Sequence, residues 1–410
     1  MTVMTLIECF DVSVGKNIAG CLHLRPEKIV FFGQNPQMSA QVERCRRFFS
    51  ERGIRAKVEC RYVDTVCVDV MARLLSDILH REMPCIVDVT GGDERTLIAV
   101  GMVLATLNET QREQVKLQKF DPITGEVQDC TGSLLSSFGN PINLTVKELI
   151  ALHGGVLHPA SYQPEEYYTP QDIAPLWRLV SRDSRGWNRR ISALGVFESR
   201  ADSKTQIFLS HRQLRGSFSD YEARLAQVME LLEQFRNGGI ICDQSSSEFL
   251  EYSYTTPLNR YCTLKAGNVL EIKTLLEARA LEADGKPFFN DCKTGVYIDW
   301  DGIIQENYPQ TPETRNEVDL ILIRGLTPLF VSCKNGDIEE EELYKLHTVA
   351  TRFGGPAAKK MLIATRLQKQ KPTSTRAFIQ RAKDMGIYLV PDAASLTKAQ
   401  WQEIFHNAMA

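Results

Sequence analysis

The sequence lacks most of the signatures that settle a function at once. Its net charge is only -3 over 410 residues, so there is no global nucleic-acid footprint, and any such binding must rest on local basic patches. No apolar run reaches the length of a membrane span. Eleven cysteines are present, none of them in a C-x-x-C pair. Together with an opening that does not resemble a signal peptide, this argues against a disulfide framework or a zinc ribbon and sets the expectation of a reducing cytoplasm. Seven histidines show no H-E-x-x-H spacing, and His153 and His158 read as structural or surface residues. G-x-G-x-x-G and the Walker A loop are also missing, which leaves a nicotinamide cofactor or a triphosphate poorly supported. What remains is an ordinary soluble composition, 24% charged and 43% hydrophobic, in a chain long enough for two or three domains.

The first part of the chain alternates strand and helix patterns. KIVFFG at residues 28–33 reads as a buried strand, AKVECRYV as the next, and VDVMARLLSDILHREM keeps a helical period with Val70, Leu74, Leu75, Ile78 and Leu79 on one side. CIVDVTGGDERTLIAVGMVLATL repeats strand, glycine turn and helix. Such alternation predicts an α/β fold with a parallel, doubly wound sheet, whose ligands bind beyond the carboxyl ends of the strands. Gly33, Gln34 and Asn35 follow one strand, and Thr90, Gly91, Gly92, Asp93, Glu94 and Arg95 follow another. Their glycines let backbone N–H groups approach an anion at a helix N-terminus. Tight turns with a capped helix are the plainer alternative. KLQKFDPITGEVQDC reads as a hairpin that closes this domain, over residues 1–140.

Residues 141–237 look mainly helical, with ISALGVF and TQIFLS strand-like between the helices. Trp177, Arg178, Trp187, Arg189 and Arg190 mix aromatic and basic residues, as a nucleic-acid surface does, although tryptophans at such spacing also serve as the core of a small connecting domain. A winged-helix variant is one topology that fits.

The third domain, residues 238–410, centres on EVDLILIRGLTPLFVSCK at residues 317–334. Two apolar runs joined by Gly and Pro predict a hairpin, with Asp319 near the start of one strand and Lys334 near the end of its partner. A carboxylate and an ammonium brought together there can hold a divalent cation and a water, or be solvated strand ends. Upstream, LKAGNVLEIKTLLEARAL predicts an amphipathic helix with Leu270, Leu275, Leu276 and Leu281 buried and Glu271 in its first turns. Downstream, Asp337 to Glu340 matches a capping box. Helical spacing sets Glu342 on the stripe of Leu346, Val349 and Phe353. Eight Lys or Arg residues and no acid lie between Lys359 and Lys383, a local cationic surface.

The order of a helix with Glu271, a strand, a strand with Asp319, a strand ending S-C-K and a helix resembles the PD-(D/E)xK restriction-endonuclease-like core. Joined to VDVTGGDERT in a Rossmann-like domain, the whole chain is similar to the CARF-domain nucleases of CRISPR-linked antiviral defence. The resemblance implies a sensor domain that pairs as a homodimer around a cyclic oligoadenylate such as cyclic tetra-adenylate. It also implies a nuclease dependent on manganese or magnesium that cuts single-stranded DNA or RNA. Asp319 would bind the metal, Lys334 would position or help deprotonate the water, Glu271 would support the site, and the main-chain carbonyl of Cys333 would add a ligand. Gly33, Gln34, Asn35, Thr90, Gly91, Gly92 and Arg95 would line the ring-nucleotide site. Ser332 departs from the pattern, standing where an Asp or Glu is expected. Glu342 and Glu317 are the acids available to compensate, with Glu342 favoured. If neither does, the competing reading is a nucleotide-sensing DNA-binding regulator with a degenerate nuclease domain. A repair nuclease without a second messenger is the third.

Overall fold

A computed structural model describes residues 4–121, 126–129, 134–137, 142–158, 163–203, 206–217, 219–300, 302, 315–336, 338–367 and 372–410. The N-terminal unit comprises β1 (Thr5–Cys9), α1 (Val14–Leu24), β2 (Lys28–Gly33), α2 (Met38–Glu51), β3 (Lys57–Tyr62), α3 (Val68–Glu82), β4 (Cys85–Asp88), α4 (Glu94–Thr106), α5 (Glu109–Gln114), β5 (Val115–Phe120), β6 (Glu126–Asp129) and β7 (Leu134–Ser137). Its sheet runs β3-β2-β1-β4-β5-β6-β7, parallel through β5 and antiparallel thereafter. This is the doubly wound Rossmann-like arrangement expected, and it gains a central strand and helix, β1 and α1, that the sequence reading missed. The order reverses at β1, so the crevice for a ligand lies above β1 and its neighbours β2 and β4. The expected closing hairpin is formed by β5 and β6, which pair antiparallel; its tip, residues 122–125, lies outside the described residues.

One apolar cluster fills the α3 and α4 face of this sheet. Met71, Ala72, Leu75, Ile78 and Leu79 form the buried side of α3. Leu74, expected on that side, is instead 43% exposed, and Leu97, Ile98 and Met102 of the neighbouring α4 are exposed as well.

The middle unit follows α6 (Val146–Leu152) and β8 (Val156–Leu157). It contains α7 (Ala174–Arg182), α8 (Ser184–Glu198), β9 (Gln206–Ser210), α9 (His211–Ser217), α10 (Tyr221–Asn237), β10 (Ile241–Asp243), β11 (Phe249–Tyr254) and α11 (Pro257–Leu264). From α8 to β11 the order is helix, strand, two helices and two strands, with an antiparallel sheet β10-β11-β9. That is a winged-helix topology. ISALGVF is not a strand. Ile191, Leu194 and Phe197 repeat at helical spacing and are buried in α8 behind an Asp183 cap, so the period of three to four residues overrides the apparent alternation. Trp187 is fully buried and Trp177 packs on the same cluster, so the tryptophans are core.

The C-terminal unit comprises α12 (Asn268–Arg279), β12 (Glu282–Ala283), β13 (Lys286–Pro287), β14 (Asp291–Asp299), β15 (Arg315–Arg324), β16 (Thr327–Lys334), α13 (Glu341–Gly354), β17 (Lys359–Ala364), α14 (Pro372–Asp384), β18 (Ile387–Val390) and α15 (Lys398–Met409). Its mixed sheet runs β18-β17-β16-β15-β14-β8. The helices α12 and α15 cover one face in a cluster shared with the middle unit, and α13 and α14 cover the other. That second cluster continues without a break into the α1 and α2 face of the N-terminal sheet. Asp337 of the expected capping box lies outside the described residues, as do Lys369 and Lys371 of the basic flank. Among the described residues no helix is long and apolar enough to cross a membrane.

Candidate functional site

The expected hairpin is present. Leu320 through Arg324 pair antiparallel with Val331 back to Thr327, and Gly325 takes a φ of +63° in the turn, a conformation that glycine adopts without penalty. Its apolar residues make β15 and β16 the centre of the sheet, which leaves chemistry only at the open end.

At that end the strand geometry breaks. Pairing of β14 with β15 runs Thr294 with Leu320 and Val296 with Val318, and is interrupted where Gly295 faces Asp319. Gly295 has a φ of +55°. Regular alternation would send Val318 and Leu320 to the same face, yet Val318 packs with α13 and Leu320 with α12. The irregularity turns Asp319 out of the pleat, as β-bulges do beside functional sites. Thr294 Oγ1 donates to the Asp319 carbonyl at 3.1 Å across the gap. The Asp319 carboxylate accepts from the Cys333 amide at 2.6 Å and from Ser332 Oγ at 3.2 Å. Ser332 therefore orients the acid opposite it.

Glu271, in the first turn of α12, is buried. Burial, then the charges of Asp319 and Glu317, push its carboxyl up to about 8, against a smaller pull from Lys265 and Lys334. Burial likewise raises Asp319, opposed first by Lys334 and then by the Cys333 and Ser332 hydrogen bonds. Burial pulls Lys334 down, but Asp319 and Glu342 leave its ammonium above the usual range. Lys334 Nζ sits 2.6 Å from Glu342 Oε2. Burial would raise Glu342, and Lys334 and Lys345 hold it below the usual carboxylate value. The acid expected to stand in for the position of Ser332 is thus engaged with the lysine. The Cys333 thiol donates to Thr274 Oγ1 at 3.8 Å.

Glu271, raised by the charges of Asp319 and Glu317, marks a site with surplus negative charge, which a divalent cation relieves. Among the described residues no group of three or more His, Cys, Asp or Glu side chains is arranged to hold a metal. An all-protein cage is not required of magnesium, which is commonly held by one or two carboxylates with waters and substrate phosphates completing the shell. Glu271 and Asp319 fit that pattern.

At the N-terminal unit the two expected loops meet. Gln34 Nε2 donates to Asp93 Oδ2 at 2.8 Å, and Asp93 caps α4 by accepting from the Thr96 amide at 2.8 Å. Gly91 has no room for a side chain, since a Cβ there would lie 2.7 Å from Asp11 Cβ and 2.8 Å from the Cys9 carbonyl. Gly92 has a φ of +94°. Gly33 backs onto Phe10, Asn35 accepts from the Gln37 amide at 2.8 Å, and Arg95 is exposed. Thr90 differs from the rest. It is buried, its amide donates to Asp88 Oδ1 at 2.8 Å, and its hydroxyl accepts from the Phe120 amide at 2.7 Å, so its side chain ties β4 to β5.

Solved structures that match along the whole chain include two whose folds can be compared directly. Protein VC1899 from Vibrio cholerae superposes with a TM-score of 0.67 at 15% identity, covering 100% of this chain and 98% of that one. Can2 from Sulfobacillus thermosulfidooxidans, solved in complex with cyclic tetra-adenylate, gives 0.64 at 16% identity, with coverage of 100% and 97%. The chain shares its fold with both. No family model matches the sequence, and no curated protein does. At these identities the likeness to Can2 and VC1899 establishes architecture, and the chemistry rests on the residues themselves.

Sequence reasoning missed the loop after β1, which occupies the crevice. Asp11 accepts from the Ser13 amide and from Lys16 Nζ at 3.0 Å, and Asn17 clamps the Asp11 backbone from both sides. The D-x-S run after a short strand was the available signal. It was obscured because Glu8, a fully buried acid, interrupts the apolar pattern of β1.

Proposed function

We propose that this protein is a metal-dependent endonuclease for single-stranded DNA or RNA, activated by a cyclic oligoadenylate, in CRISPR-linked antiviral defence. The observation that carries the nuclease assignment is the convergence of Glu271, Asp319 and Lys334 at the open end of β15 and β16. The strand and helix order around them supports a PD-(D/E)xK-type core. The fold shared with Can2, which was solved with cyclic tetra-adenylate, supports the sensing half. So does the convergence of the two loops after β2 and β4 over the switch point. The exposed Leu97, Ile98 and Met102 of α4 and Leu74 of α3 suit a two-fold homodimer that would bring two such loops to one symmetric ligand.

In this reading Asp319 and Glu271 hold manganese or magnesium, with the Cys333 carbonyl as a further oxygen. Held there, such an ion would supply an activated water and positive charge for the phosphoryl oxygens. Lys334, steadied by Glu342, positions that water and offsets the charge that develops on the phosphate. Ser332 and the Cys333 amide keep Asp319 in one orientation. A nuclease assay on single-stranded DNA and RNA, with and without cyclic tetra-adenylate, in manganese and in magnesium, tests the assignment. Cleavage is expected only with both ligand and metal, and Lys334→Ala is expected to abolish it while the circular dichroism spectrum is kept. Equal cleavage by the variant overturns the site.

The winged-helix topology favours one second reading, a DNA-binding regulator. Against it, α10, the helix that would enter a major groove, carries Glu222, Glu230 and Glu233 on its solvent side against only Arg224 and Arg236. Tight, metal-independent binding of duplex DNA without cleavage would support that alternative.

A further inference from the structure

The two ammonium-bearing residues that act on Glu271 leave their secondary structures at one shared junction. Lys334 ends β16 and is followed by Asn335, while Lys265 follows α11 and precedes Ala266. Asn335 Nδ2 donates to the Ala266 carbonyl at 3.1 Å and to Asn188 Oδ1 at 2.8 Å. Asn188 Nδ2 donates back to the Asn335 carbonyl, and Trp187 Nε1 donates to the Ala266 carbonyl at 3.0 Å. The segments carrying Lys265 and Lys334 are thus fastened to each other and to α8 of the middle unit. Gly336, with a φ of +137°, lies close under the Asn188 amide, where a Cβ would come within 3.1 Å.

Beyond the junction, Lys265 Nζ is 3.6 Å from Glu317 Oε1. Tyr297 hydrogen-bonds with both side chains. A solvated ion pair adds little to stability, so it does not account for four hydrogen bonds that fix the backbone next to it. Substrate accounts for it better. A nucleic acid brings its own negative charge to a site already holding Glu271, Glu317 and Asp319. Lys334 is half-enclosed against Glu342, whereas the Lys265 side chain is 64% exposed on the same carboxylate cluster.

We propose that Lys265 is a substrate-binding residue of this site, gripping a phosphate of a single-stranded nucleic acid beside the one cleaved, with Tyr297 and Glu317 holding its ammonium in place beforehand. The inference rests on the nuclease reading for the identity of the substrate. It makes the middle unit part of the site's construction, because α8 sets the spacing of the two ammonium groups.

Binding of a short labelled single-stranded oligonucleotide, measured by fluorescence anisotropy in EDTA with cyclic tetra-adenylate over a salt series, reads the contact without metal or turnover. Lys265→Ala is expected to weaken binding about tenfold at low salt. It is also expected to reduce the slope of log affinity against log salt by about 0.7, the increment for one phosphate contact on a single strand. Lys265→Arg should restore the slope. In cleavage assays Lys265→Ala should raise KM and leave kcat within about twofold. Unchanged affinity and slope in Lys265→Ala, or a loss of kcat at constant KM, overturns the proposal. Failure of the parent to cleave under any combination of ligand and metal sinks the nuclease reading instead, and the salt slope in EDTA still decides the role of Lys265.

Discussion

Ser332→Asp is the substitution that most directly interrogates the metal site. It restores a carboxylate where the endonuclease-like pattern has one, and in the absence of metal it should harm the fold. The change removes the 3.2 Å bond from Ser332 Oγ to Asp319, a hydrogen bond to an acid contributing about 2 kcal/mol. It also sets a second negative charge against Asp319. At about 4 Å and an effective dielectric near 20 the repulsion is on the order of 4 kcal/mol. Burial already raises Asp319, so protonating one of the two acids caps the penalty, at about 1.4 kcal/mol for each unit between its raised pKa and the working pH. A loss of up to about 6 kcal/mol corresponds, at about 2.1 cal/mol/K per residue over 410 residues, to a fall in Tm of roughly 7 °C in EDTA. Manganese should reverse much of this, since an ion at a hundred times its Kd returns about 2.7 kcal/mol. The assay is differential scanning fluorimetry of parent and variant in EDTA and across a manganese titration. A fall in Tm that manganese does not diminish, or a metal-induced rise no larger than the parent's, would refute the placement of the ion between Asp319 and Glu271.

Three further outcomes follow from the N-terminal unit. Gly91→Ala forces a Cβ against Asp11 and the Cys9 carbonyl; it should cost about 1–3 kcal/mol and reduce cyclic tetra-adenylate binding, measured by calorimetry, far more than Gly101→Ala, which meets nothing. Ile98→Glu with Met102→Glu should convert a dimer to a monomer in light scattering and abolish ligand-dependent cleavage; a dimer that survives both changes refutes the interface. Glu8 concerns pH: burial, then Asp88, pushes its carboxyl well above the ordinary 4.5. A raised acid contributes stability that is complete below the unfolded pKa and is lost as pH rises through the folded pKa. Glu8→Gln should therefore gain Tm relative to the parent as pH increases from 5 to 8, and a difference independent of pH would contradict the buried charge.

The pattern of what the sequence disclosed follows from which forces act locally. The β15–β16 hairpin was legible because its apolar runs and Gly325 are adjacent in the chain. The lysine and its neighbouring acid were legible for the same reason. The α12 helix followed from periodicity, but the expected amphipathic face did not, because the helix is buried on nearly every side; Glu271 entered the site through the resemblance. By contrast, β1 carries Glu8 in its centre, paired in register with Asp88 of β4, and a buried acid pair is invisible until the sheet is assembled. The Gly295 irregularity, which re-aims Asp319, depends on the meeting of two strands separated by residues with no bearing on either pattern. The bond from Ser332 to Asp319 is equally a product of pairing. The engagement of Glu342 by Lys334 could be anticipated only as far as the face of the helix, because a facing stripe does not say which charge it will meet.

The apolar cluster common to the N-terminal sheet and the C-terminal sheet has a thermodynamic consequence. The helix α6 lies inside it as a strut. Gln41 and Arg44 of α2 both donate to the Leu152 carbonyl, at 3.0 and 3.1 Å, and Arg52 pairs with Glu148. At the far side, the Leu144 amide donates to the Gly325 carbonyl in the hairpin turn at 3.0 Å. Loss of packing in one sheet is expected to disturb the other, and calorimetry should show the two melting together. A ligand that tightens the crevice above β1 should then raise the melting temperature of a hairpin it never touches, with α6 as the strut between them.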